Sequence, residues 1–351
     1  MVQPHTSTRD IIVHPSQNPS SPYHIFFLPG NPGLVEYYAG FLDSLHQSLN
    51  SASSSSPGFH VAGCSFAGFE TSSPSSTSSA TRGKEQLYSI TEQTDFALEK
   101  LRQCITITGS DKKEANQKKV VIIGHSFGTF VATEMMKRIH TEQLREAFEV
   151  VGAVLLFPPI PDLEMSPRGS KLAALLRWKY LPGICSSLAG LVHILPVSWS
   201  NAIIRHVTAF PADALETTRA FFGSRTGVAQ ALYLGRLEID DIKPSRWESA
   251  FQAISKLNSP QSRPPLIRIF FGKDDHWVLN ELRDAFMYQY CDAAGPKKFG
   301  NDLNIEARID PSQDGDETSV VIPHDFSIRH SEHVVPYVVE YINEIVHASA
   351  Q

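Results

Sequence analysis

The chain has 351 residues and a formal net charge of -6, with 31 Lys plus Arg against 37 Asp plus Glu. An acidic excess without a basic cluster argues against nucleic-acid binding. The cysteines Cys64, Cys104, Cys185 and Cys291 are widely separated, show no metal-ligand spacing and suit a reducing compartment, and residues 1–15 lack the apolar core of a secretion signal.

In chain order, His24 to Leu28 (HIFFL) reads as a strand that runs into Pro29-Gly30-Asn31-Pro32-Gly33, a loop so punctuated that it must turn tightly. The serine-rich stretches Ser51 to Pro57 and Thr71 to Gly83 carry too little apolar content to offset the entropy of ordering them. They flank a strand predicted over Phe59 to Ser65, and a helix is predicted from Glu85 to Cys104. Lys118 to Ile123 reads as a buried parallel strand. It feeds Gly124-His125-Ser126-Phe127-Gly128, followed by helical spacing over Thr129 to Ile139. A G-x-S-x-G string between strand and helix is the pattern of a nucleophile elbow: the sharp turn strains the central serine and exposes its hydroxyl.

A serine hydroxyl is a poor nucleophile near neutral pH, so the reading requires a base, an orienting acid and oxyanion donors. In α/β-hydrolases these follow in the order Ser, acid, His. Leu266 to Phe271 (LIRIFF) is strand-like and ends in Gly272-Lys273-Asp274-Asp275, which places two carboxylates just past a strand end. Ser319 to Ile322 (SVVI) reads as a further short strand before Pro323-His324-Asp325-Phe326, and a last helix is predicted over His333 to Val346 with Pro336 in its first turn. His324 lies in the expected loop, whereas His330 and His333 lie close to or inside that helix. Oxyanion donors are expected from the Phe127 N–H and from the early loop. There the prolines have no N–H, which leaves Gly30, Asn31 and Gly33, with Asn31 preferred.

Between the strand Val150 to Phe157 and the acid strand lies an insertion rich in helix formers. Leu181 to Ile204 contains no Asp, Glu, Lys or Arg, but Pro182 and Pro196 interrupt it. The 13 residues between those prolines fall short of a bilayer core of about 30 Å at about 1.5 Å per helical residue. The expectation is a monolayer-inserted hairpin or a lid over the active site. Arg168, Lys171, Arg177, Lys179 and Arg205 flank it at what would be headgroup level.

FFLPGNPGLVEYY at Phe26 to Tyr38, IGHSFG at Ile123 to Gly128, FFGKDDHW at Phe270 to Trp277 and IPHDF at Ile322 to Phe326 together resemble the lipid droplet-associated hydrolase family. The resemblance covers most of the chain and favours Asp275 over Asp274. It puts Ser126, Asp275 and His324 at the triad positions. It implies an α/β-hydrolase fold, a mostly parallel central sheet flanked by helices, with a helical lid. It also implies a serine esterase of sterol esters or acylglycerols at the lipid droplet monolayer and the cytosolic face of the endoplasmic reticulum. The expected organisation is 1–157 for the first half of the core, 158–262 for the insertion and 263–351 for the rest of the core. No metal or organic cofactor is expected. The rival expectations are an acyltransferase or thioesterase on the same triad, and a lipid-droplet tether with a vestigial hydrolase core. An epoxide hydrolase or dehalogenase is disfavoured because those place a carboxylate where Ser126 stands.

Overall fold

The computed structural model describes residues 6–8, 10–51, 57–71, 87–108, 117–141, 148–160, 167–256, 264–291, 299, 303–312 and 320–351. Both serine-rich stretches lie largely outside them. The apolar runs become strands: β1 Thr6–Thr8, β2 Ile11–His14, β3 Tyr23–Leu28, β4 His60–Cys64, β5 Lys118–His125, β6 Phe148–Leu156, β7 Leu266–Phe271 and β8 Asn304–Ile309. They form one sheet in the order β1-β2-β4-β3-β5-β6-β7-β8. β4 to β8 along that order are parallel, while β1 and β2 join antiparallel at one edge.

Alternate residues of the central strands face opposite sides, so each side needs its own helical cover. Phe26, Ile122, Leu155 and Ile269 lie in a core with residues of α2 (Ile90–Thr108), α3 (Phe127–Thr141), α9 (Pro244–Ser255) and α10 (Asn280–Tyr290). Phe27, Ile123, Leu156 and Phe270 lie in a second core with α1 (Ala39–Ser51) and α11 (Ser331–Ala350). Strands covered on both sides read as unbroken apolar runs, which is why β3 and β5 stand out in the sequence.

Two expectations are corrected. The strand before His324 is β8, and Val320 to Ile322 form none. The Ile322 N–H is instead met by the Asp310 carboxylate at 2.8 Å, which takes the place of a ladder partner. The last helix starts at Ser331, so Pro336 sits in its second turn and forgoes a bond to the Glu332 carbonyl.

Between β6 and β7 lie α4 (Pro167–Leu176), α5 (Leu181–Ile194), α6 (Val197–Thr208), α7 (Ala212–Gly223), α8 (Gly227–Asp241) and α9. α5 packs with α6, α7 and α8, whereas α9 packs on α3 with Trp247 buried against Phe130. The charge-free stretch is thus two short helices broken at Leu195-Pro196, and no described helix is long and apolar enough to cross a membrane.

At the sheet edge opposite the elbow, His24 and His60 open β3 and β4 in register, and their rings stack with centroids 4.7 Å apart. Burial lowers His24 to about 3 and His60 to about 4, helped in each by the nearby Lys118 charge. Both rings are neutral in the folded chain at pH values where the unfolded chain protonates them. This stability is present above the ordinary value of 6.5 and is lost as pH falls toward the folded values. His24→Phe should therefore lower the slope of unfolding free energy against pH by about 1.4 kcal/mol per unit between about pH 4.5 and 6. Denaturant melts across that range check it, and an unchanged slope would show that the folded ring takes up a proton.

Candidate active site

Ser126 has φ 49, the left-handed region an L-residue rarely enters. Its neighbours leave no alternative at this crossing. A Cβ on Gly124 would come within 2.5 Å of the Gly128 carbonyl group, and one on Gly128 within 2.5 Å of the Leu28 and Pro29 carbonyl oxygens. The turn is pinned on both sides: the Ser126 N–H donates to the Leu156 carbonyl at 2.9 Å, and the Thr129 N–H and hydroxyl both donate to the Ser126 carbonyl. Phe127 is the first residue of α3, so its N–H belongs to the turn of donors a helix leaves without internal partners.

His324 Nε2 stands 3.0 Å from Ser126 Oγ, and its Nδ1 stands 2.7 Å from Asp275 Oδ2. The other oxygen, Asp275 Oδ1, accepts the Trp277 N–H at 2.9 Å. With the carboxylate holding Nδ1–H, the Nε2 lone pair faces the serine hydroxyl, which is the tautomer a general base needs. Burial pushes the Asp275 carboxyl up, but the His324 charge and hydrogen bond, with the Trp277 N–H, outweigh it and hold the group below its ordinary value. Asp274 is exposed, so the structure brings Asp275 and not its neighbour to the histidine. His330 and His333 pair with each other at the start of α11, beside Glu332. Among the described residues these three have donor atoms within 4.8 Å of one another, as a metal site would require, but they lie at the surface apart from Ser126.

Of the loop donors, the Gly30 N–H is already engaged, donating to Tyr38 Oη at 3.0 Å. Tyr38 Oη is also 2.7 Å from His125 Nδ1, and a Cβ on Gly30 would meet both His125 and Ser126 at 3.0 Å. Burial, then the His324 charge, hold His125 well below its ordinary value, so a neutral ring stands beside that of His324. Asn31 faces the cavity, and its side chain does something the sequence did not indicate. Asn31 Nδ2 donates to the Ala231 carbonyl at 2.9 Å and to Glu238 Oε1 at 3.1 Å, tying the loop after β3 to α8. Sequence reasoning missed Tyr38, His125 and Glu238. His125 is at least adjacent to the elbow serine, whereas a glutamate on a mixed helix reads as a solvated residue.

A cavity of about 150 Å³ opens on Ser126, His324, Asn31 and Glu238, with Leu172 and Trp277 among its apolar walls. That is the size of a void that holds benzene. Residues 21–310 match the family model described as Lipid-droplet associated hydrolase. The chain belongs to this family. Relatives carrying the name Lipid droplet-associated hydrolase include one from Mus musculus, 26% identical over 331 residues, covering 91% of this chain and 84% of that protein. Another from Dictyostelium discoideum is 23% identical over 342 residues, covering 97% and 94%. Among solved structures, the haloalkane dehalogenase DbeA from Bradyrhizobium elkani USDA94 superposes with a TM-score of 0.59 at 15% identity, covering 97% of this chain and 96% of that one. A proline iminopeptidase from Mycobacterium smegmatis gives 0.52 at 13% identity, covering 96% of each. At such identities the likeness is one of fold, and the fold is the α/β-hydrolase fold. The family member therefore carries a hydrolase scaffold with a serine, a histidine and an aspartate hydrogen-bonded at its elbow.

The left-handed backbone gives a direct test. Ser126→Gly should be more stable than Ser126→Ala by roughly 1–2 kcal/mol, because glycine adopts this φ without a steric cost. Thermal or denaturant melts of the two variants check it, and equal stabilities would show that the turn is relaxed.

Proposed function

We propose that this family member is a serine hydrolase of lipid carboxylic esters, sterol esters or acylglycerols, working at the lipid droplet surface and the cytosolic face of the endoplasmic reticulum. The observation that carries the reading is the continuous chain from Ser126 Oγ through His324 to Asp275, at 3.0 and 2.7 Å. Ser126 Oγ attacks the ester carbonyl while His324 Nε2 takes its proton. The Phe127 and Asn31 amides hold the oxyanion. Collapse expels the alcohol, which takes its proton from His324, and leaves an acyl-serine. Water, deprotonated by the same ring, then attacks that ester and releases the acid. Asp275 keeps the ring in the required tautomer and stabilises its charged form throughout.

The lipid surface enters through the insertion. Ile184, Leu188, Leu191 and Ile194 on α5, and Val197, Trp199, Ile203 and Val207 on α6, are each more than 40% exposed. On α5 they are spaced by four, three and three positions, and on α6 Trp199, Ile203 and Val207 are four apart, so each helix carries an apolar stripe. A contiguous apolar surface rimmed by charge is the form of a surface that meets a lipid phase. Lys171, Lys179 and Arg205 are exposed nearby, whereas Arg177 is bound to Asp240 of α8 at 3.0 Å. A cavity of about 150 Å³ holds less than a long acyl chain together with its alcohol, so such an ester would extend beyond it, past the α4 and α8 residues that line it. The small cavity beside a broad apolar stripe is also what a tether with an idle core would show, which makes that the second reading.

Labelling with a fluorophosphonate separates the two. Wild type should label, Ser126→Ala and His324→Ala should not, and Asp275→Asn should lose about 10⁴ in rate. Replacing Leu188, Trp199 and Val207 by serine should abolish binding to a lipid emulsion while soluble-ester turnover persists. Wild type that never labels, with droplet effects that survive Ser126→Ala, would replace the hydrolase by the tether.

A further inference from the structure

Glu238 is a titratable group for which the triad chemistry has no use, yet it lines the same cavity as Ser126. It lies on the face of α8 that carries Ala231, Gly235 and Ile239, at helical spacing of three and four. Gly235 keeps that face open: a Cβ there would press on Leu176 at 3.3 Å and approach Asn31 Nδ2 at 3.6 Å. The Asn31 amide is oriented by its partners, since Nδ2 must face the Ala231 carbonyl and Glu238 Oε1, both acceptors. That leaves Asn31 Oδ1, which is buried and has no hydrogen-bond partner among the described residues. Glu238 Oε1 serves Asn31, and Oε2 has no bond of its own among those described for this carboxyl. Asn31 Oδ1 is thus a buried acceptor beside the cavity with no donor among the described residues, which is costly, and the half-buried Glu238 carboxyl stands next to it.

We propose that Glu238 and Asn31 form a hydroxyl-recognising subsite, which selects esters whose alcohol part keeps a free hydroxyl, as partial acylglycerols do, over fully esterified or sterol esters. Sterol esters and triacylglycerols bring no donor and leave Asn31 Oδ1 unmet. A free hydroxyl two carbons from the ester oxygen brings one. Burial pushes the Glu238 carboxyl up to about 7, so the group is partly neutral near physiological pH and favours a neutral donor over a cationic one. Specificity of this kind is strong because the penalty falls on the substrate that lacks the donor. Glu238 is a specificity-determining residue in this scheme and takes no part in proton transfer to the ester. The inference rests on the proposed serine hydrolase reading.

The test compares hydroxyethyl butyrate with propyl butyrate, which match in length and differ by hydroxyl against methyl, with fluorophosphonate labelling run alongside. Wild type should favour the hydroxyl ester in kcat/KM by roughly ten- to a hundredfold. Glu238→Leu should bring the ratio to near unity, and Glu238→Gln, which keeps an acceptor, should retain most of it. A ratio is unaffected by the fraction of molecules that fold, so a merely structural role for Glu238 would leave it in place. A wild type that labels but shows no preference overturns the subsite and leaves the hydrolase standing. A preference that survives Glu238→Leu also overturns it. Neither label nor turnover of either ester removes both.

Discussion

The backbone of Ser126 is the constraint on which the site depends. An L-residue in the left-handed region costs roughly 1–2 kcal/mol, and the chain holds it there by packing β5 against the start of α3, and α3 against the end of β3, so closely that only glycine fits at 124 and 128. β5 lies between β3 and β6, so the loop after β3 presses on the elbow from one side and the end of β6 anchors it from the other. The strain is small against the two cores beneath it, where Phe27, Phe130 and Ile123 are wholly buried. The rigid C-terminal end of the sheet also explains how residues nearly two hundred positions apart, Ser126 and His324, come within hydrogen-bond distance.

The parts of the molecule that were legible in the sequence share a physical cause. β3 to β7 are covered on both sides or nearly so, and burial on both sides writes an uninterrupted apolar run. β8 is an edge strand whose Glu306 and Arg308 are exposed between Ile305, Ala307 and Ile309, so its six residues read as polar, while SVVI reads as strand although Val320 to Ile322 join no strand among the described residues. Ser126 and His324 were found by chain order. Asp275 needed the family resemblance, because only the fold decides which of two adjacent carboxylates turns inward. Glu238 left no trace, since a carboxylate on a helix is drawn to water unless a cap helix happens to pack over a cleft. The side-chain role of Asn31 was hidden for the same reason: its partners lie two hundred residues downstream.

That long-range contact changes how core and cap relate. Asn31 sits in the loop after β3, yet its amide nitrogen is bound to the carbonyl and carboxyl of α8. Displacing α8 releases the side chain of the same residue whose backbone N–H is proposed as an oxyanion donor. The shape of the nucleophile's surroundings and the position of the cap are therefore one variable, not two.

The outer faces of α5 and α6 have a consequence of a different kind. A net charge of -6 ordinarily keeps a chain of this size apart from its own copies. Trp199, Val207 and Ile194, each at least 64% exposed, act against that repulsion on the outer faces of these two helices. Apolar surface of this kind favours association in plain buffer, so the solubility of the protein should follow the detergent or lipid present more closely than the pH.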